Sequence, residues 1–228
     1  MTIQTPRRFG LSKSRITAFE QCPRRLWLMI HNPELAEFDD GAEARFATGH
    51  QVGAIACDLH PEGVMVEAEP NLAAAVATTA RLIAEGHPGP IFEATFEHDG
   101  VLVRVDLLQR AQDDRWHIAE VKSSTSAKDY HHGDLATQLW VIRANGLDVT
   151  SAAIRHVDNA FILEREGDYA GLFSDAELLA QVAPIASERP AVVAAARAML
   201  AGEEPVCDMG SHCGPACKRD PVSGVIGV

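Results

Sequence analysis

The sequence predicts a mixed α/β fold in which a central mixed sheet is flanked by helices. Three neighbouring segments, residues 91–97, 101–109 and 116–122, show the period-two alternation of strands. Segments with helical spacing precede them, and a helix, a strand and further helices follow. We therefore expect an antiparallel meander within the sheet, with helices before and after it.

The first half of the chain is predicted to contain three helical segments. Residues 11–30 have apolar side chains at helical spacing, and Pro23 within them predicts a kink or two short helices. Residues 41–58 form the second segment. Residues 71–85 form the third, with Asn71 as its N-cap.

The second half continues from the meander, whose strands are joined by predicted turns at 98–100 and 111–115. A helix is expected at 132–145 and a strand at 152–163. Residues 175–201 are predicted to form a helix or a helix pair, interrupted by two prolines.

The chain has 228 residues, 46% of them hydrophobic and 23% charged, which is typical of one globular domain spanning 1–228. No apolar run approaches the roughly 18–20 residues that cross a bilayer, and the basic N-terminus lacks an apolar signal region. These features favour a cytoplasmic protein without a membrane partner. The stretch after Cys217 has no clear stop signal, which leaves room for further domains.

The net charge of −12 argues against a nucleic-acid partner, because DNA affinity comes largely from Lys and Arg. The charge is uneven, however, since residues 1–30 have six basic residues against Glu20 alone. This segment is either a local DNA-binding face or a solvated basic helix. Its basic residues are Arg7, Arg8, Lys13, Arg15, Arg24 and Arg25.

Three charged residues of the predicted meander are candidates for catalysis. Glu120 and Lys122 are two residues apart in one strand, so both leave the same face. Asp106 lies in the preceding strand, on the face that alternation also assigns to Arg104 and Leu108. Neighbouring strands can therefore bring Asp106, Glu120 and Lys122 together.

This combination suits phosphodiester hydrolysis, because Mg²⁺ and Mn²⁺ prefer carboxylate oxygens. Lys122 is expected to hold the attacking water or stabilise charge on the phosphate. The alternative is a surface ion pair on solvent-facing strand positions.

Three further residues are candidates for the same site. Glu93, in the first strand of the meander, is a possible third acidic ligand or a group behind the ligands. Gln138 is a polar residue on the apolar stripe of its predicted helix, where a buried amide needs a partner. His50 is either a metal ligand or a histidine satisfied within the core.

The five cysteines are unevenly distributed, because three of them lie in the last 22 residues. In a reducing compartment such crowding indicates a metal or cluster site rather than disulfides. The five are Cys22, Cys57, Cys207, Cys213 and Cys217.

Taken together, these motifs resemble the RecB-like branch of the PD-(D/E)XK nucleases, especially the iron–sulfur exonucleases of the CRISPR-adaptation and AddB type. The resemblance covers nearly the whole chain and implies a restriction-endonuclease-like fold. It is carried, in order, by LSKSRITAFEQCPRRLWL, by Gly49-His50, by FEATFEHDGVLVRVDLL, by HIAEVKSS and by the Gln138 helix.

The resemblance implies a role for each matching residue. Asp106, Glu120 and Lys122 match the catalytic core, while His50 and the Val121 carbonyl match metal ligands. Gln138 matches the start of a Gln-xxx-Tyr motif, although Ile142 replaces the tyrosine. The remaining candidates for DNA contact are Tyr130, which is close enough in sequence to compensate, Arg24 and Arg25.

The resemblance also implies a [4Fe–4S] cluster held by Cys22, Cys207, Cys213 and Cys217. Residues 11–30 and 202–220 would then form one subdomain that joins the two ends of the chain. The C-x5-C-x3-C spacing departs from the C-x2-C common in the family. A tetrahedral Zn²⁺, with His212 replacing one thiolate, is the alternative, and Cys57 is expected in the core.

The implied activity is a Mg²⁺- or Mn²⁺-dependent deoxyribonuclease, an exonuclease acting on single strands or ends. Its implied partners are DNA and a CRISPR-adaptation or repair protein. Two alternatives stay open, namely a non-catalytic DNA-binding scaffold and an enzyme that acts on a small substrate.

Overall fold

The computed structural model describes residues 10–37, 42–111, 113–208, 210 and 226–227. Its helices are α1 (Lys13–Gln21), α2 (Pro23–His31), α3 (Ala42–Asp58), α4 (Leu72–Ala84), α5 (His131–Ala144) and α6 (Leu179–Leu200). Its strands are β1 (Leu11–Ser12), β2 (Ala36–Glu37), β3 (Val64–Met65), β4 (Ile91–His98), β5 (Val101–Arg110), β6 (Trp116–Lys122), β7 (Val149–Val157), β8 (Phe173–Glu177) and β9 (Ile226–Gly227).

The main sheet has the order β3-β4-β5-β6-β7-β8, and β1 adds to β5. Strands β4, β5 and β6 form the antiparallel meander, whereas β7 runs parallel to β6 and β8 antiparallel to β7. The predicted mixed α/β fold with a mixed sheet flanked by helices is confirmed. In the described part of the chain, no helix is long and apolar enough to span a membrane.

The predicted break near Pro23 is confirmed, because α1 ends at Gln21 and α2 begins at Pro23. Cys22 between them is extended and serves as the N-cap residue of α2. Proline suits the first turn of a helix, where its missing N–H has no partner to lose. The Asn71 cap of α4 is also confirmed by a 3.0 Å hydrogen bond from the Ala74 N–H.

Several predicted boundaries are wrong for reasons of tertiary context. Leu11 lies in strand β1 rather than in a helix, because Leu11 and Ser12 pair with Val101 and Leu102 of β5, and Ser12 is the N-cap of α1. Strand β7 begins at Val149 and ends at Val157, before a turn closed by Asp158.

The segment predicted as helix from residue 175 instead begins with β8. This strand pairs with β7, and Asp175 accepts two 2.8 Å hydrogen bonds from Arg155. Helix α6 then continues unbroken through Pro184 and Pro190. Both prolines are solvent-exposed, so the buried face of α6 remains continuous and offsets their cost of roughly 3 kcal/mol each.

Helices α5 and α6 cover the main core, and they also fix the position of α1. Arg189 of α6 is buried and donates two 2.8 Å hydrogen bonds to the Glu20 carboxylate of α1. Thr17 of α1 donates a 2.6 Å hydrogen bond to Asp134 of α5. These contacts hold the middle and the end of α1 against α5 and α6.

Candidate metal centre

The predicted catalytic residues lie where β5 and β6 separate. The ladder between these strands extends from Arg110↔Trp116 to Leu107↔Ala119. Asp106 and Glu120 are the next residues on each strand, beyond the last pair. The Asp106 carboxylate accepts a 2.7 Å hydrogen bond from the Val121 N–H, so it closes the gap with a side chain.

The regular alternation predicted for β5 breaks at Asp106. Val105 and Leu108 both belong to the main core, whereas Leu107 packs in a separate cluster with Phe92 and Ala119. The opposing residue on β4, Glu93, has a left-handed backbone (φ 53°), and the Glu93/Asp106 pair is missing from the ladder. As a result Leu108, which alternation assigns to the face of Asp106, packs in the main core instead.

Glu120 is the most enclosed charge of the site, with 2% of its surface exposed. Lys122 donates a 2.7 Å hydrogen bond to Oε1, and Gln138 of α5 donates a 2.5 Å bond to Oε2. The structure therefore brings Glu120, Lys122 and Gln138 together. The alternative of a surface ion pair is wrong, because Glu120 is buried.

A fourth member of the site, Lys13, was counted in the sequence only as part of the basic N-terminal segment. Its ammonium contacts both oxygens of Glu120, at 2.6 and 2.7 Å. Strand β1 places it there by pairing with the part of β5 that has left β6. Local sequence offers no signal for this contact, because β1 and Glu120 are more than one hundred residues apart.

The two carboxylates have opposite pKa shifts. Burial would raise the pKa of Glu120, but the ammonium groups of Lys13 and Lys122 outweigh it and lower that pKa to about 2. Burial and, next, the negative charge of Glu120 raise the pKa of Asp106 to about 7, although Lys13 opposes both effects. Without a cation, the site therefore favours one ionised carboxylate and one that holds its proton near neutral pH.

A cavity of about 670 Å³ opens over these residues, between α3 and the sheet. Its lining includes Asp106, Glu120, Val121 and Lys122 from the sheet and His50 from α3. His50 is exposed, so the alternative of a core histidine is wrong. On the α3 side, the cavity is also lined by Gly49, Gly53 and Ala54, which have small or absent side chains.

Glu93 also lines this cavity, but its carboxylate forms a 2.8 Å ion pair with Arg104 of β5. Gln138 is fully buried, and its Oε1 has no hydrogen-bond partner among the described residues. Cys57, expected in the core, is half-buried and lines the cavity instead.

The residues predicted to contact DNA lie in two places. Tyr130 is 70% exposed and precedes α5, where its ring packs edge-on against His131. Arg24 is paired with Glu204 at 2.6 Å, and Arg25 donates to the Gln21 side chain. Both arginines are thus engaged by protein groups close to Cys22.

Two of the predicted cluster ligands come together. Cys22 is buried, and its thiol is in hydrogen-bonding contact with that of Cys207. Burial raises the pKa of the Cys22 thiol and Cys207 raises it further, while the backbone N–H groups of Arg25 and Arg24 oppose this. Both thiols are free, and Cys213 and Cys217, like His212, lie outside the described residues.

The chemistry of the donor set fits a hard divalent cation. The Asp106 and Glu120 carboxylates are the oxygen donors that Mg²⁺ and Mn²⁺ prefer, and the neighbouring Val121 carbonyl adds a further oxygen, while His50 lines the same cavity. Among the described residues, no three His, Cys, Asp or Glu side chains are close enough together to form a ready-made metal cage. A Mg²⁺ ion at this site would therefore have one or two carboxylate ligands from the protein and would keep several waters, as is usual for Mg²⁺.

No protein-family model matches this chain, and no curated protein matches it by sequence. Five chains of solved structures match it in a structural comparison. One, described as the crystal structure of SSO0001, has a TM-score of 0.36 and 14% identity, over 83% of this chain and 79% of that one. Similarity at this level carries no argument about function.

The raised pKa of Asp106 predicts how metal-free stability depends on pH. The folded protein keeps a proton that the unfolded chain releases, so the contribution of Asp106 falls as pH rises from about 4 to about 7. Asp106→Asn removes this titration. We therefore expect the difference in the free energy of unfolding between the variant and the native protein to be about 2 to 4 kcal/mol more favourable to the variant at pH 8 than at pH 4.

Urea unfolding in the presence of a chelator measures this difference. Asp129→Asn, at an exposed aspartate, is the matched control and should leave the pH dependence unchanged. Equal pH dependence in the Asp106 variant and the native protein would contradict the assigned environment of Asp106.

Proposed function

We propose that this protein is a metal-dependent nuclease that hydrolyses phosphodiester bonds of DNA, acting on single strands or ends. The observation that carries the proposal is the pairing of Asp106 and Glu120 at the open end between β5 and β6. Both carboxylates face a cavity, with Lys122 beside them. An acidic pair with an adjacent ammonium is an arrangement that suits metal-assisted phosphodiester hydrolysis.

Asp106, Glu120, the Val121 carbonyl and His50 are the groups that would hold the cation. A divalent cation supplies Lewis acidity, which polarises a phosphate oxygen and makes water a better nucleophile at neutral pH. Asp106 is already oriented for this role, because the Val121 N–H holds one of its oxygens. Gln138 orients Glu120 from the buried side by its 2.5 Å hydrogen bond.

Lys122 is the group best placed to act on the substrate. Its side chain is 26% exposed, lines the cavity and contacts Glu120 through one oxygen only. Its ammonium can hold the attacking water or neutralise charge that develops on the phosphate. The cationic group is fixed beside the reacting atoms, so little reorganisation is needed when charge develops.

The size of the cavity supports a single strand or a strand end as the substrate. About 670 Å³ is within the range of small-molecule sites and takes only a few nucleotides. An intact duplex is too wide to enter such a space. The exposed ring of Tyr130 is available to stack on a base, which partly replaces the tyrosine expected at Ile142.

The order of elements supports a restriction-endonuclease-like fold. The antiparallel strands β4, β5 and β6 are followed by α5, which supplies Gln138, and by the parallel strand β7. The site lies at the end of β6, where α5 and α1 both reach the sheet.

We further propose that Cys22 and Cys207 are two of the four ligands of a structural [4Fe–4S] cluster, completed by Cys213 and Cys217. The contact between the first two thiols supports this, since they are far apart in sequence. The N–H groups of Arg24 and Arg25 point toward Cys22 and favour its thiolate form, which a metal requires. Such a cluster would join α2 to the chain beyond α6.

Removal of the Lys122 ammonium tests the proposed chemistry. We expect Lys122→Met to lower the rate of cleavage of a labelled single-stranded oligonucleotide, with Mn²⁺ present, by about 100-fold or more. Lys128→Met, at an exposed lysine nearby, loses the same charge and should retain activity within a few fold.

Equal activity of the Lys122 variant and the native protein would rule out the assigned centre. DNA that is bound but left intact in both Mg²⁺ and Mn²⁺ would favour a non-catalytic scaffold. Weak association that does not depend on salt would favour an enzyme for a small substrate, because phosphate-driven binding weakens steeply with salt.

Anaerobic purification tests the cluster. We expect a brown protein that absorbs near roughly 400 nm, with the absorbance lost in Cys22→Ser and Cys207→Ser. Cys57→Ser is the matched control, because Cys57 lines the cavity beside the sheet, and it should keep the colour. A colourless protein that contains stoichiometric zinc would replace the iron–sulfur assignment with a zinc site.

A further inference from the structure

The carboxylate of Glu120 is saturated with donors. Oε1 accepts from Lys13 and Lys122, and Oε2 accepts from Lys13 and Gln138, all within 2.7 Å. An ionised carboxylate offers about four lone-pair sites, and four contacts fill them. A cation can therefore bind Glu120 only if one of these donors leaves.

Of the three donors, Lys13 is the one that competes most directly with a cation. It alone among them contacts both oxygens of Glu120. Its ammonium also lies close enough to Asp106 to stabilise the charge of that carboxylate. It thus contacts one carboxylate and acts electrostatically on the other, as a shared cation would.

Charge balance gives a second reason for exchange. The two positive charges of Lys13 and Lys122 exceed the charge of Glu120 while Asp106 holds its proton, and they balance the two carboxylates only once Asp106 ionises. A divalent cation added to this set would leave an excess of two positive charges at contact distance. Because like charges repel strongly in a partly buried site, loss of one ammonium from Glu120 is favoured.

Lys13 is also free to move away from Glu120. Its side chain is 23% exposed, similar to the 26% of Lys122, whereas Gln138 is fully buried. Asp134, one turn before Gln138 on α5, is a second carboxylate that acts electrostatically on Lys13 and can receive its ammonium. Thr17 already donates a hydrogen bond to Asp134 from the same face of α1.

We propose that Lys13 is a positioning residue that substitutes for the cation: it holds Glu120 in the metal-free protein and is displaced from it when Mg²⁺ or Mn²⁺ binds. The inference rests on the proposed metal centre and specifies how that centre is loaded. Lys13 thereby compensates the buried charge of Glu120 while no metal is bound. The affinity for the metal is lower as a result, because Lys13 must first be displaced.

The native protein itself provides the first test. A water-soluble amine-acetylating reagent is applied with and without Mn²⁺, and mass spectrometry measures the modification of each lysine. We expect Lys13 to be protected without metal and at least about threefold more reactive with Mn²⁺, as a salt-bridged ammonium becomes free. Exposed Lys128 is the internal reference and should react equally in both samples.

The second test compares Mn²⁺ affinity by calorimetry in Lys13→Met, Lys128→Met and the native protein. Both substitutions remove one positive charge, so the change in net charge is matched and the difference reports the ammonium in contact with Glu120. We expect Lys13→Met to bind Mn²⁺ about tenfold or more tightly than Lys128→Met, which should be close to native.

Mn²⁺ binding to the native protein with Lys13 still protected would overturn the exchange while leaving the metal centre intact. Weaker or unchanged Mn²⁺ binding in folded Lys13→Met would overturn it as well. Failure of the native protein to bind Mn²⁺ at all would overturn the metal centre and the exchange together.

Discussion

The buried carboxylate of Glu120 is the constraint on which the arrangement around it depends. A charge removed from water costs several kcal/mol unless other groups compensate it fully. Here Lys13, Lys122 and Gln138 provide that compensation from α1, β6 and α5. Each of these elements must therefore be held in place around one carboxylate, and most of the long-range contacts described above serve that purpose.

The N-terminal segment with β1 and Lys13 is the part of this arrangement that is most distant in sequence from Glu120. Strand β1 pairs with β5 only because β5 has left β6 at Asp106, and this pairing directs Lys13 inward. The Arg189–Glu20 ion pair then fixes α1 against α6. The separation of β5 from β6 thus leaves space for the Asp106 side chain and for β1, which is followed by Lys13. The site and the position of β1 therefore depend on each other.

The sequence predicted the parts of this structure that depend on local pattern. The meander, the break at Pro23 and the Asn71 cap follow from alternation, proline geometry and side-chain capping. Glu120 and Lys122 were found because their spacing of two places them on one face of a strand, and Gln138 because it is polar on an apolar helix stripe. Lys13 and β8 were missed, because both depend on pairing with distant strands. The left-handed backbone of Glu93, which interrupts the ladder opposite Asp106, is indicated by no residue pattern.

The central claim is that Asp106 and Glu120 together form a cation site. Anomalous diffraction from crystals soaked in Mn²⁺ tests it most directly, because manganese scatters anomalously and its position needs no assumption about the ligands. We expect one strong peak between the two carboxylates, next to the Val121 carbonyl, with the Lys13 ammonium no longer on Glu120. No peak there at saturating Mn²⁺, with Lys13 still on Glu120, would contradict the claim.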